Sequence, residues 1–180
     1  MKALVVFESL YGNTGAVGEA IAEGMRTSGM PVKGGSICNI PPEAAEGMDL
    51  LVVGGPTHVH GMTWARTRRI AIDDLRARFE VPVGDVGLRE WMHGLPRGGL
   101  GRRAVAFDTR YDKSLAVSGS AALGIARRLE GHGYVVVTPP QSFFVTEENQ
   151  LEPGQLERAE EWGADIALSI GREILGSSVA

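Results

Sequence analysis

Residues 3–14 have the sequence ALVVFESLYGNT, and this stretch decides the fold. The run from Ala3 to Phe7 is short, continuously apolar and rich in valine, which is typical of a strand covered by helices on both faces of a parallel sheet. A polar run from Ser9 to Thr14 follows, and after it comes a helical pattern of apolar residues spaced by four. The order of strand, polar turn and helix predicts the first βα unit of an α/β domain.

Three further apolar runs have the same character, namely Leu50 to Val53, Ala104 to Phe107 and Tyr134 to Val137, and a weaker strand pattern covers Pro31 to Ile37. Amphipathic helical patterns fill the intervals between these runs, and one more follows the last run. The pattern of this last helix predicts a buried face made of Leu156, Ala159, Ile166, Ile170 and Ile174. Strands that alternate with helices predict right-handed crossovers, so we expect one three-layer α/β domain over residues 1–180.

Two intervals depart from simple alternation. The chain between the third and fourth strands is longer than one crossover needs, and we expect an extended crossover with two helices at about 63–101. Pro139 and Pro140 cannot donate to a strand ladder, so regular pairing of the last strand should stop at about Thr138. A second piece of that strand is expected at Phe143 to Val145.

The composition is that of an ordinary globular domain. The chain has 180 residues, 43% of them apolar and 22% charged, which suffices for a core without disulfide or metal staples. No run of about 18 apolar residues occurs, so we expect no membrane insertion. The net charge of −4 disfavours nucleic acid as a partner. Cys38 is the single cysteine, which excludes an intramolecular disulfide and favours a cytoplasmic location.

The segment from Arg66 to Arg110 has a charge character of its own. It contains ten of the fifteen arginines and six acidic residues, so it carries +4 while the rest of the chain carries −8. The commonest explanation of such a segment is a solvated helix face. The alternative is a docking surface for an acidic partner or an anionic ligand.

The polar turn Ser9-Leu10-Tyr11-Gly12-Asn13-Thr14 lies between the first strand and the first helix. The first amides of a helix have no internal acceptor and carry partial positive charge, so a phosphate fits there. The hydroxyls and the amide of the turn add donors, and Gly12 lets a ligand approach the backbone. A helix cap formed by Asn13 and Thr14 is the alternative explanation. The P-loop and dinucleotide-binding patterns do not occur in the sequence.

Ser9, Tyr11, Gly12 and Thr14 match the flavodoxin phosphate-loop pattern [ST]-x-[TY]-G-x-T, directly after an apolar first strand. Together with the order of strands and helices, this match makes the chain resemble the flavodoxin family over nearly its whole length. The resemblance implies a five-stranded parallel sheet in the order 2-1-3-4-5, with flavin mononucleotide (FMN) at the carboxyl ends of the strands. It also implies that the loop from Ser9 to Thr14 holds the FMN phosphate.

Two more loops follow strand ends at the same edge, because the strands of the expected sheet are parallel. The resemblance implies that these loops enclose the isoalloxazine ring, and that Gly61 is the glycine beside its N5 atom; an ordinary turn glycine is the alternative. The cofactor-binding residues implied in these two loops are Pro56, Thr57, His58, Val59, His60, Gly61, Asp108, Thr109, Arg110 and Tyr111.

The ring-stacking residues match the family only in part. By resemblance, Tyr111 stacks on one face of the ring. The other face is left to one of four candidates, which are His58, His60, Met62 and Trp64. Arg110 lies near the ring by topology, and if it points inward it would stabilise a reduced anionic flavin or a negatively charged substrate.

Three functions remain open on this basis. The first is an FMN-binding electron-transfer protein that shuttles electrons between a reductase and an acceptor, as a monomer or a weak oligomer. The second is an FMN-dependent NAD(P)H or quinone oxidoreductase, and the third is a flavin-free binding module. No catalytic residue is assigned. We expect no metal at His58 and His60, because no third ligand lies within reach in the sequence.

Overall fold

The computed structural model describes residues 1–58, 60–73, 86–96 and 101–177, without the side chains of 70–73 and 173–177. The strands are β1 (Ala3–Phe7), β2 (Val32–Ser36), β3 (Leu50–His58), β4 (Gly61–Met62), β5 (Arg103–Tyr111), β6 (Val135–Val136) and β7 (Gln141–Val145). The helices are α1 (Asn13–Thr27), α2 (Ala65–Asp73), α3 (Leu88–His93), α4 (Leu115–Ser118), α5 (Ala121–Gly131) and α6 (Gln155–Ser177), with a 3₁₀ turn at Pro42–Ala45.

The strands form one sheet with the order β2-β1-β3-β5-β6, in which β7 also pairs with β5 and the short β4 pairs antiparallel to β3. The other pairings are parallel. This is the predicted order 2-1-3-4-5, with β5 as the fourth strand and the two pieces β6 and β7 as the fifth. The fold class predicted from the sequence is therefore confirmed.

The last strand is split at the predicted place. β6 pairs with Arg103 and Ala104 at the start of β5, and β7 pairs with Phe107 to Tyr111 at its end. Pro139 and Pro140 lie in the interval between β6 and β7, where they interrupt the ladder because proline has no amide hydrogen. Because β7 pairs with the end of β5, its last residue lies at the carboxyl edge of the sheet.

Helices cover both faces of the sheet, and each face has its own apolar core. Apolar side chains of α1 and α6 pack on one face, and those of α3 and α5 pack on the other. Every residue of β1 is buried, which explains its uninterrupted apolar sequence. No helix in the part of the chain that the structure describes is long and apolar enough to cross a membrane.

The expected crossover helices are partly seen. α2 and α3 lie within the predicted segment, and the residues between them fall outside those described. One expectation about α6 was wrong: Leu156 has the spacing of the buried face, but 42% of it is exposed. It lies in the first turn of α6, and the buried face begins at Ala159, where the helix reaches α1.

Candidate functional site

A cavity of about 300 Å³ lies at the carboxyl edge of the sheet, where the β1, β3, β5 and β7 ends meet. It exists because parallel strands bring their carboxyl ends to one edge, and the strand order reverses between β1 and β3. Ten of the predicted binding residues line it: Tyr11, Asn13, Thr14, Pro56, Thr57, His58, His60, Thr109, Arg110 and Tyr111.

The polar turn lies between β1 and α1, as predicted, and its last two residues, Asn13 and Thr14, are the first two residues of α1. Gly12 precedes the helix with φ +88°, a backbone conformation that strains other residues, and a Cβ there would meet open space. The Ser9 hydroxyl accepts a hydrogen bond of 3.1 Å from the amide of Gly15. Among the described residues, the amides of Asn13 and Thr14 have no acceptor, so they remain available to an anion at this helix terminus.

Two side-chain contacts tie α1 to the opposite wall of the cavity. The buried Thr14 hydroxyl lies 2.7 Å from that of Thr109 at the end of β5. The Asn13 side-chain amide donates to the carbonyl of Asn149, at 2.9 Å. One hydroxyl hydrogen fills the contact between the two threonines, and the second is free to reach a ligand.

The loop after β3 brings two histidines to the cavity. The His58 ring is roughly parallel to that of Tyr11, with centroids 6.1 Å apart and an interplanar angle of 23°. Burial lowers the pKa of His58, which favours its neutral form. His60 has a left-handed backbone with φ +69°. Gly119 packs so closely against it that a Cβ on residue 119 would collide with the His60 backbone. The His60 backbone is thus held in a strained conformation by its neighbour.

The loop after β5 is held by Arg110. Its guanidinium donates to the Ser142 and Ser118 hydroxyls at 2.9 Å each, and to the carbonyls of Tyr111 and Lys113. These bonds fix the loop, and the side chain still lines the cavity. Tyr111 is 38% exposed beside it and presents its ring to the same space.

Asp108 supports the site from below rather than lining it. Its carboxylate is fully buried and accepts hydrogen bonds from the Thr57 and Ser120 hydroxyls and from the amide of Ala122. Thr57 in turn accepts from the amide of Ala121. A carboxylate at the first turn of α5 is favoured by the helix dipole, so Asp108 couples β3, β5 and α5.

The remaining predicted residues are placed as follows. Ser9, Leu10, Gly12, Gly61 and Asp108 do not line the cavity, Leu10 being buried in the core, and Val59 lies outside the described residues. Of the four stacking candidates, Met62 is buried and Trp64 opens into a different groove. That leaves His58 and His60 at the cavity.

Four lining residues were missed from the sequence: Val117, Ser118, Val145 and Asn149. Val145 ends β7, so the rule that parallel strands end at one edge would have found it once the split strand was recognised. Asn149 has φ +57°, and its position depends on how the chain turns back after β7. No motif marks α4, which contributes the other two.

A buried acid lies next to the polar turn. Glu8 is 5% exposed and accepts hydrogen bonds from the Thr63 hydroxyl at 2.6 Å and the amide of Leu88 at 3.2 Å. Burial raises the pKa of its carboxyl, while these hydrogen bonds and the nearby Arg68 oppose that rise. Glu8 therefore fastens the β4–α2 connection and the start of α3 to β1.

No group of three or more potential metal ligands occurs within residues 1–58, 60–73, 86–96 and 101–177. The cavity therefore offers neutral donors, aromatic rings and one arginine rather than a ligand set for a metal.

Solved structures that share this architecture include flavodoxins, flavodiiron proteins and a WrbA-like protein from Agrobacterium tumefaciens. A flavodoxin from the domain Archaea is similar over 95% of this chain and 99% of its own, with a TM-score of 0.66 and 21% identity. Flavodoxin 1 from Bacillus cereus matches over 91% and 95%, with a TM-score of 0.65 and 18% identity. The Streptococcus TIGR4 flavodoxin matches over 94% and 99%, with a TM-score of 0.66 and 15% identity. No protein-family model and no curated protein matches the sequence. The chain has the flavodoxin-like fold.

Proposed function

We propose that this chain binds FMN in the carboxyl-edge cavity and carries electrons between a reductase and an acceptor. One observation carries the proposal: the start of α1, the loop after β3 and the loop after β5 with Tyr111 all line one cavity of about 300 Å³. The start of α1 is suited to a phosphate, and the two loops bring aromatic side chains. The solved flavodoxins that share the fold support the same cofactor class.

The α1 terminus is suited to the phosphate group. It offers the amides of Asn13 and Thr14, a glycine in the left-handed region and neutral hydroxyls. These donors satisfy a dianion through hydrogen bonds and the helix dipole, without a lysine or arginine in the turn.

The two side loops are suited to the flat ring. His58 and Tyr111 line the same cavity from the β3 and β5 ends, and the low pKa of His58 favours a neutral, stackable imidazole. When bound, FMN would supply the redox chemistry, and the protein would orient it and set its potential. The Arg110 side chain, already bonded to Tyr111, Lys113, Ser118 and Ser142, would place a positive charge beside the ring.

The first test is flavin binding, with FMN compared with riboflavin. Replacing the buried Thr14 with valine removes a hydroxyl at the phosphate position, so FMN should bind about 10- to 100-fold more weakly. Riboflavin has no phosphate and should lose less than about 3-fold. Thr27→Val, at the far end of α1, is the matched control. A wild-type chain that binds neither flavin would refute the proposal in favour of a flavin-free module.

The second test separates a carrier from an oxidoreductase. An FMN-loaded carrier should stay oxidised under anaerobic NADH or NADPH until a separate flavodoxin reductase is added. Hydride transfer needs a donor held about 3–3.5 Å from the flavin, which requires a walled nicotinamide site. Rapid bleaching by NADPH alone, followed by turnover with a quinone, would replace the carrier assignment with the oxidoreductase.

A further inference from the structure

A second concavity lies outside the cavity just described. It is an open groove of about 690 Å³ between the connection after β4, α3 and the end of α5. We call it the arginine groove. Its walls carry Trp64, Arg89, His93, Arg127, Arg128 and His132.

The arginine groove is positive on a negative protein. Its three arginines form no ion pair with any described residue. Among the described residues of its wall, the one acid is Glu90, which accepts a hydrogen bond from the amide of Gly87 and pairs with the buried Arg68 at 3.4 Å. The described residues of the wall thus have a net charge of about +2, whereas the whole chain has a net charge of −4. The groove is therefore a positive patch on a negatively charged protein.

An exposed tryptophan lies in this positive wall. Trp64 is 58% exposed, and the Arg89 guanidinium lies over one face of its indole at 3.8 Å from the centroid. Arg89 is itself fixed, because it donates to the carbonyls of Met62 and Thr63 at 2.9 and 2.8 Å. Rigid tryptophan and arginine side chains of this kind are the commonest energetic anchors of protein interfaces.

The arginine groove adjoins the carboxyl-edge cavity through β4. Gly61 pairs with His58, which lines the cavity, and a Cβ on Gly61 would lie 4.0 Å from an Arg89 nitrogen. A molecule seated on Trp64 would therefore stand beside the loop that would hold the flavin ring.

We propose that the arginine groove docks a small redox protein through a carboxylate-rich patch on that partner, with Trp64 at the centre of the contact. This inference rests on the proposed electron-carrier function and names the class of partner. Charge complementarity carries it: arginines that form no ion pair with a described residue, beside an exposed aromatic, attract an acidic surface and speed its encounter at low ionic strength.

The test uses a plant-type [2Fe–2S] ferredoxin as the acidic probe and the wild-type chain without FMN, so that binding is measured independently of flavin. Titration calorimetry should show binding at about 20 mM salt that weakens about 10-fold or more by about 300 mM. Arg127→Glu and Arg128→Glu, made one at a time, should each weaken binding at low salt about 3-fold or more, and Trp64→Ala should weaken it about 10-fold. Arg172→Glu on the exposed surface of α6 is the control, with a change under about 2-fold.

Other outcomes overturn the proposal. Equal weakening by Arg172→Glu would show a response to net charge alone, and binding that ignores salt would remove the electrostatic basis. If 2′,5′-ADP binds the arginine groove and ferredoxin does not, the ligand is a small anion and not a protein. If ferredoxin binds as expected but FMN does not bind, the docking surface is supported and the proposed carrier function is refuted.

Discussion

On one face of the sheet, α1 and α6 pack backbone against backbone, whereas on the other face α3 and α5 cover buried charges as well as apolar side chains. A Cβ on Gly24 would collide with the backbone of Glu160, and one on Gly163 with that of Ile21. The opposite face holds Glu8 and Arg68 at 5% and 4% exposure. One face is therefore fixed by shape and the other by charge and hydrogen bonding.

The difference shows where the sheet can carry a function. The face packed by α1 and α6 leaves no room at its centre, because glycines bring the two helix backbones together. On the other face, buried polar side chains such as Glu8 and Arg68 lie among the apolar ones, and their hydrogen bonds extend to the loops at the carboxyl edge. Thr63, bonded to Glu8, lies between the cavity loop and the arginine groove. Apart from the start of α1, which lines the cavity, we expect mutations on the first face to affect stability alone, whereas those on the second should also affect ligand and partner binding.

The largest expected effect tests the face fixed by shape. Gly163→Leu would force α6 away from the Ile21 backbone, and we expect a loss of more than about 4 kcal/mol in the free energy of unfolding. Gly171→Ala on the same helix is the control, because its Cβ meets open space; it should stabilise by about 0.5–1 kcal/mol. Urea unfolding measures both. A Gly163→Leu variant as stable as the wild type would remove the distinction between the faces.

The next effect tests the buried charges. Arg68→Met removes the cation near Glu8 and Glu90 and leaves a buried carboxylate less compensated, so we expect a loss of about 3 kcal/mol. The double variant Arg68→Met/Glu8→Gln should recover part of that loss, because neither charge then remains buried. Absence of recovery would show that Arg68 acts through packing and not through charge.

A smaller effect is expected at the helix start that Asp108 caps. Asp108→Asn keeps the size but replaces a charged acceptor of three hydrogen bonds, and about 1–2 kcal/mol should be lost. The loss should be accompanied by faster amide exchange in the first turn of α5. Asp112→Asn, at an exposed position just after the end of β5, should be neutral. Unchanged exchange at Ala121 and Ala122 would contradict the capping role.

The smallest effect is a pH dependence that belongs to Glu8. Its pKa is raised in the folded chain, so the fold holds that proton more tightly than the unfolded chain does. The stability of the wild type relative to Glu8→Gln should therefore be greatest below pH 4.5 and should fall as pH rises through the raised pKa. Urea unfolding from about pH 4 to pH 8 measures this difference. A difference that grows with pH would mean that hydrogen bonding and Arg68 outweigh burial.

The sequence predicted the face fixed by shape better than the face fixed by charge. Spacing by four indicated Val17, Ile21 and Met25 on α1, and all three are fully buried. The close approach of α6 to α1 was not predictable. Gly24 and Gly163 are recognisable as contact positions only when it is known that these two helices pack against each other. The prediction that Leu156 is buried was wrong. Periodicity shows which side of a helix faces the core, but it does not show at which residue the neighbouring helix begins to cover that side.

At the candidate site, the residues that follow strands were predictable and their bonding was not. The rule that parallel strands end at one edge placed Thr14, His58 and Tyr111 at one cavity. It gave no indication that the Asn13 side chain donates to Asn149 or that Arg110 bonds to its own loop. The Asn13 contact joins segments far apart in the sequence, and the Arg110 contact depends on how the loop after β5 folds, so no local pattern encodes either of them.

The interrupted last strand also bears on aggregation. Outer strands present unpaired backbone groups that can recruit a strand from another chain, and prolines, short strands, charge and irregular backbone prevent this. At one border of the sheet, Pro139 and Pro140 divide the outer strand into β6, of two residues, and β7, of five, and both backbone groups of Phe144 in β7 are already bonded, to Gln155 and Glu152. At the other, β2 has the sequence VKGGS, with an exposed lysine and a glycine at φ +155°. Neither border offers a long flat template, so intermolecular β-pairing is disfavoured in the folded protein at high concentration.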